Sequence, residues 1–146
     1  MTASTVVKLL VGFALLLGAG VVSGCGNADN AATPASPNWL STLAAAQQQA
    51  AQEGKRVVVV FSVDWSEPGN LFFAESIPHS DVRRYYDSYV WVRLDIERDK
   101  ATSQQFRVYV APSTVILDPS GQEVARSERF LYGPELADFL SQNTDP

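Results

Sequence analysis

The chain has 146 residues, 46% hydrophobic and 18% charged, with a formal net charge of −5. That apolar content suits a globular chain with its own core rather than a disordered one, and the length suits a single domain. The acidic balance, with no basic stripe or arginine-rich helix, argues against nucleic acid as a partner and against direct attraction to anionic lipid.

Lys8 precedes an unbroken run of apolar and small residues over 9–22, the length of a signal h-region and short for a spanning helix. Ser23 and Gly24 then lead into Cys25, the only cysteine. This segment resembles the bacterial lipoprotein signal, whose lipobox ends in a small residue and a cysteine. The resemblance implies removal of residues 1–24, with Cys25 becoming the acylated first residue and holding the protein to a lipid bilayer. Each buried methylene of such chains contributes about 0.8 kcal/mol, so several together make release slow. An uncleaved membrane helix with an incidental cysteine is the alternative. Gly26 is not the aspartate that retains many lipoproteins on an inner membrane. In a host with two membranes, the expectation is a lipid-anchored protein of the bacterial cell envelope, on the outer membrane and facing the periplasm. Losing Lys8 would make the net charge one unit more negative, −6. Residues 27–38, rich in Asn, Ala, Pro and Ser, complete a flexible tether of residues 25–38.

The domain then occupies residues 39–146. Residues 39–53 carry a weak helical period, ended by Gly54 in the usual position after a helix. Residues 57–63 form a continuous β-branched and aromatic run, as expected for a strand covered on both faces. A turn at 65–69 opens a second helix containing Leu71, Phe72 and Phe73. Adjacent on a helix, Phe72 and Phe73 cannot both face inward. Pro78 interrupts it, and Ser80 or Asp81 can cap a short helix that follows. Residues 89–96 are a second strand, with Val90, Val92, Leu94 and Ile96 on one face. A short polar helix spans 100–107, and a third strand spans 114–117. Asp118-Pro119-Ser120-Gly121 has strong turn chemistry and leads to an edge strand from Gln122 to about Ser127. Gly133 and Pro134 open a last amphipathic helix, with Pro134 expected at its first position. Strands one and two suit a right-handed parallel crossover, and the last two a hairpin.

Two landmarks on this order carry a further resemblance. Val57-Val58-Val59-Val60-Phe61-Ser62-Val63-Asp64-Trp65-Ser66-Glu67-Pro68-Gly69 is similar to the strand and Trp-Cys-Gly-Pro-Cys turn of thioredoxins. Val110-Ala111-Pro112-Ser113-Thr114 is similar to the segment that carries the family's cis-proline opposite that turn. Together with the hairpin turn and Tyr132-Gly133, residues 39–142 resemble the thioredoxin-like fold superfamily, of the exported DsbD-terminal-domain and thioredoxin-like lipoprotein type. The resemblance implies an α/β three-layer sandwich with a central mixed β-sheet flanked by helices.

The departures bear on function. Ser66 and Gly69 stand where the resemblance puts the attacking and resolving cysteines, so both would be replaced. Disulfide exchange needs a thiolate and a second thiol, and neither residue supplies one. Val60 stands where thioredoxin buries an acidic residue. The expectation is a redox-inactive module that binds an exported protein or peptide through Trp65, Ala111 and Pro112, with the degenerate motif Trp65, Ser66, Glu67, Pro68 and Gly69 beside it. No catalytic residue, cofactor or metal is expected. Alternatives stay open: an oxidoreductase with a degenerate or partner-supplied cysteine, or a structural subunit of an envelope complex. Ser66, Glu67 and Pro68 also suit a plain helix start, Pro112 can serve loop shape alone, and Trp65 is either a lid or a packing residue. A pair of His79, the only histidine, with Ser66 or Ser80 lacks a third member. Asp95, Glu97 and Asp99 read as a solvated loop, and Tyr85, Tyr86, Tyr89 and Trp91 as partly core and partly surface.

Overall fold

The computed structural model describes residues 36–144. The predicted signal segment, Cys25 and most of the tether therefore lie outside the described residues. Residues 36–38, the end of the segment read as a tether, are described. Ser36 accepts a hydrogen bond from the Trp39 indole at 2.8 Å, and Pro37 is buried.

The β-branched run forms strand β2, Arg56–Ser62, and Val57 to Phe61 are wholly buried. It lies in the middle of a five-stranded sheet of order β1-β3-β2-β4-β5. On one side it runs parallel to β3, Tyr89–Asp95, with Val58 beside Trp91. On the other it runs antiparallel to β4, Ser113–Leu117, with Val58 beside Ile116. Side chains alternate across a strand. Val58 and Val60 enter one core with Phe72, Ile77, Trp91, Leu136 and Leu140. Val57, Val59 and Phe61 enter the other with Ala46, Ala50, Val92, Leu94, Phe106 and Val115. Burying each valine contributes about 1.5–3 kcal/mol, which explains a run with no polar alternation. Strand β4 continues through Asp118–Gly121 into the edge strand β5, Glu123–Ser127.

The first element departs from expectation. Trp39–Leu40 is a short strand, β1, parallel to β3 with Trp39 beside Trp91, and helix α1 runs only over Leu43–Glu53. The Trp39 ring sits edge-on to Phe73 at 5.5 Å and to Trp91 at 5.6 Å. That packing outweighs a weak helical period, and Thr42 caps the helix by accepting the Ala45 N–H. Ala46 and Ala50 face the sheet, where small side chains allow close approach, and Gly54 ends the helix at φ 65°.

Helix α2, Glu67–Leu71, passes into a π-helical segment, Phe72–Ser76. Phe72 is buried, while Phe73 is half-buried beneath the Arg93 guanidinium, 3.9 Å from the ring centre. Helix α3, Ser80–Arg83, is capped by His79 rather than by Ser80 or Asp81, the His79 Nδ1 accepting the Asp81 N–H. Helix α4 spans Lys100–Phe106. Helix α5, Gly133–Ser141, starts with Gly133, so Pro134 stands one place later than expected, and the Glu135 carboxylate accepts the Tyr132 N–H. A Cβ at Gly133 would come within 2.2 Å of His79 Cγ, so only glycine fits there. Tyr86, Tyr89 and Trp91 are core residues, and their polar tips donate to the carbonyls of Ile77, Leu140 and Tyr86. Tyr85 is half-buried.

Candidate functional site

Strand β2 delivers the chain to the turn at 64–66, and helix α2 carries it away. Ser66 is the N-cap. Its Oγ accepts the Gly69 N–H at 3.2 Å, and its carbonyl accepts the Asn70 N–H. The hydroxyl is buried and serves the helix start, as its position predicts. Glu67 and Pro68 are exposed in the first turn, and Gly69 is buried. A Cβ at Gly69 would lie 3.5 Å from the Ser66 Cβ, in ordinary contact. Trp65 stands out from the turn, 74% exposed.

The Ala111-Pro112 peptide bond is cis, and Pro112 is buried at the entry to β4. The turn and this segment meet. A groove of about 230 Å³ is lined by Val63, Trp65, Ser66, Ile96, Glu97, Tyr109 and Ala111. Three of the expected site residues, Trp65, Ser66 and Ala111, thus share one concavity. Pro112, Glu67, Pro68 and Gly69 do not line it. Trp65 acts here as a groove wall, since most of its ring faces solvent.

Two groups that shape the site escape the sequence reading. Tyr109 is 73% exposed, although its apolar neighbours Val108 and Val110 suggest a buried run. In the acidic loop that leaves β3, Glu97 and Arg98 are exposed, as a solvated loop would have them, but Asp95 at the end of the strand is not. Asp95 is 6% exposed, and its carboxylate accepts the N–H groups of Asp64, Glu97 and Arg98. Burial alone would raise its pKa. The backbone donors Arg98, Glu97 and Asp64, with the Arg98 guanidinium, outweigh that and hold the carboxyl below its ordinary value. Asp99 in turn accepts the Asp95 N–H at 2.8 Å. Glu97 accepts the Trp65 indole N–H at 3.2 Å. The loop therefore fixes both the backbone before Trp65 and the pose of its ring. Asp64 is further held by Arg93 at 3.5 Å and Arg98 at 3.0 Å.

His79 lies elsewhere, capping α3 against Gly133, and lines no part of the groove. Ser80 is exposed at the start of α3. Val60 is wholly buried among apolar side chains. Among the described residues, no group of three or more His, Cys, Asp or Glu could hold a metal ion, and no helix is long and apolar enough to cross a membrane.

A thioredoxin-like family model matches residues 38–119, more than half of the chain. No curated protein is matched by sequence. Among solved structures, the fold is similar to that of a thioredoxin from Thermus thermophilus, with TM-score 0.66 and 20% identity over 73% of this chain and 86% of that one. It is similar to the DsbH oxidoreductase, with TM-score 0.65 and 18% identity over 75% and 85%. It is also similar to a point mutant of a thioredoxin from Halobacterium salinarum, with TM-score 0.61 and 16% identity over 79% and 96%. At these identities the likeness speaks to the fold, a mixed five-stranded sheet flanked by helices.

Proposed function

The chain belongs to the thioredoxin-like family, and from that premise we propose that it is a redox-inactive binding module for an exported protein or peptide, anchored in the cell envelope through acylated Cys25. The observation that carries this is the groove itself. Its walls are Trp65 and Ala111, yet the turn beside it holds Ser66 and Gly69 where exchange chemistry needs two thiols. The Ser66 hydroxyl is already engaged as a helix cap. An extended segment needs only exposed main-chain groups and side-chain pockets to dock, neither of which requires sulfur.

What supports the anchor is the sequence resemblance at residues 8–25; the domain would then stand in the envelope, facing the periplasm where two membranes exist.

The test is titration of the full chain, in a non-ionic detergent, with a labelled extended peptide of alanine and valine. Trp65→Ala should weaken binding by about tenfold, in line with truncation of an aromatic anchor. Equal binding by both proteins would contradict the assignment of this surface.

A further inference from the structure

The groove has one charge. Apart from Ser66 and Glu97 its lining is apolar or aromatic, and the Ser66 hydroxyl is occupied by the Gly69 N–H. Glu97 is exposed and, among the described residues, accepts only the Trp65 indole N–H. Its neighbours on the same loop differ. Asp95 and Asp64 both face Arg98, and Asp64 also faces Arg93. Among the described residues no cation pairs with Glu97. Lys100 joins Glu97, Ile96 and Tyr109 in lining an adjoining hollow of about 270 Å³ without forming an ion pair to it.

A carboxylate lining one groove with two exposed aromatic side chains and the apolar Val63, Ile96 and Ala111 suits one class of group. A lysine or arginine side chain lays its hydrocarbon stem on apolar surface and presents its charge at the tip. The faces of tryptophan and tyrosine attract such a cation, and a carboxylate balances it. An acidic side chain would meet Glu97 instead, and the first turn of α2 is already served by Ser66 and Glu67. We propose that the groove accepts a lysine or arginine side chain of the bound polypeptide, with Glu97 as its counter-ion and Trp65 and Tyr109 as its aromatic walls. This rests on the docking reading above and adds to it the chemistry of the ligand. The net charge of −5 would favour encounter with a basic segment.

The test uses the full chain in non-ionic detergent and three labelled heptapeptides of alanine and valine, whose central residue is lysine, norleucine or glutamate. At low salt the lysine peptide should bind roughly five- to tenfold tighter than the norleucine peptide, with the glutamate peptide weakest. High salt should shrink that ratio. Glu97→Gln, which keeps an acceptor for the indole, should bring it close to one. Tyr109→Leu should lower it while circular dichroism shows an intact fold. Equal binding of all three peptides, or a lysine preference that survives Glu97→Gln, would overturn the inference and leave the docking surface standing. Binding of none of them would remove the docking reading and this inference together.

Discussion

The turn at 65–69 and the loop at 95–99 lie side by side, joined where Asp95 holds the Asp64 N–H and Glu97 holds the Trp65 indole. The turn carries the landmarks that make the family visible in the sequence. The loop carries none, yet it sets where the turn's backbone and its aromatic ring stand. The difference is between residues that stand exposed at the groove and residues that fix the geometry in which they stand. Trp65 is mostly in solvent, whereas Asp95 is almost fully buried and accepts the backbone N–H groups of Asp64, Glu97 and Arg98.

Breaking the loop should therefore have the largest effect. Asp95→Ala leaves the N–H groups of Asp64, Glu97 and Arg98 without their acceptor. It should cost about 2–3 kcal/mol of stability by denaturant titration, partial rehydration setting the lower end. The effect also has a pH signature. A carboxyl whose folded pKa is depressed stabilises the fold above its unfolded pKa, and that stability disappears as pH falls through the folded value. The gap between the native chain and Asp95→Asn should thus stay constant from neutral pH down to about 5, then close below about 4. A gap independent of pH would mean that the carboxylate charge contributes nothing.

The turn should be less sensitive. Ser66→Ala removes the cap of α2 and should cost about 1 kcal/mol, read as a drop of several degrees in melting temperature. A smaller loss would mean that Ser66 is held for its contact surface rather than as a cap. Trp65→Ala should change stability least, by no more than about 0.5 kcal/mol, because its ring is 74% exposed. If Trp65→Ala destabilised the fold as much as Asp95→Ala, the division between contact and scaffold would fail.

Much of the fold was legible because burial on both faces writes itself into composition. The run 57–61 in β2 holds no polar residue, and the turn chemistry of Asp118-Pro119-Ser120-Gly121 is local, its carboxylate taking the N–H groups of Ser120 and Gln122. Strand β1 was not legible. Two residues give no period, and Trp39 is placed by rings that come from positions 73 and 91. The cap of α3 was missed because histidine is an uncommon acceptor there, and its place is set by Gly133, far along the chain. At the site, Trp65 and Ala111 were found through the family's pattern. Tyr109 was hidden inside an apolar run, where exposure leaves no trace. Asp95 offered a faint signal, since aspartate often accepts N–H groups just ahead of it in a turn. The same three acids read equally well as a solvated loop.

The central claim is that this domain keeps the groove of its family without the sulfur chemistry. It is tested most directly by insulin disulfide reduction with dithiothreitol, using the full chain carrying Cys25→Ser. A second sample carries Ser66→Cys and Gly69→Cys on the same background. A Cβ at position 69 lies 3.5 Å from that of residue 66, so the pair should form a disulfide on oxidation, which loss of free thiol reports. The account predicts that the chain with native Ser66 and Gly69 leaves the rate at that of dithiothreitol alone. Acceleration by that cysteine-free chain would contradict it.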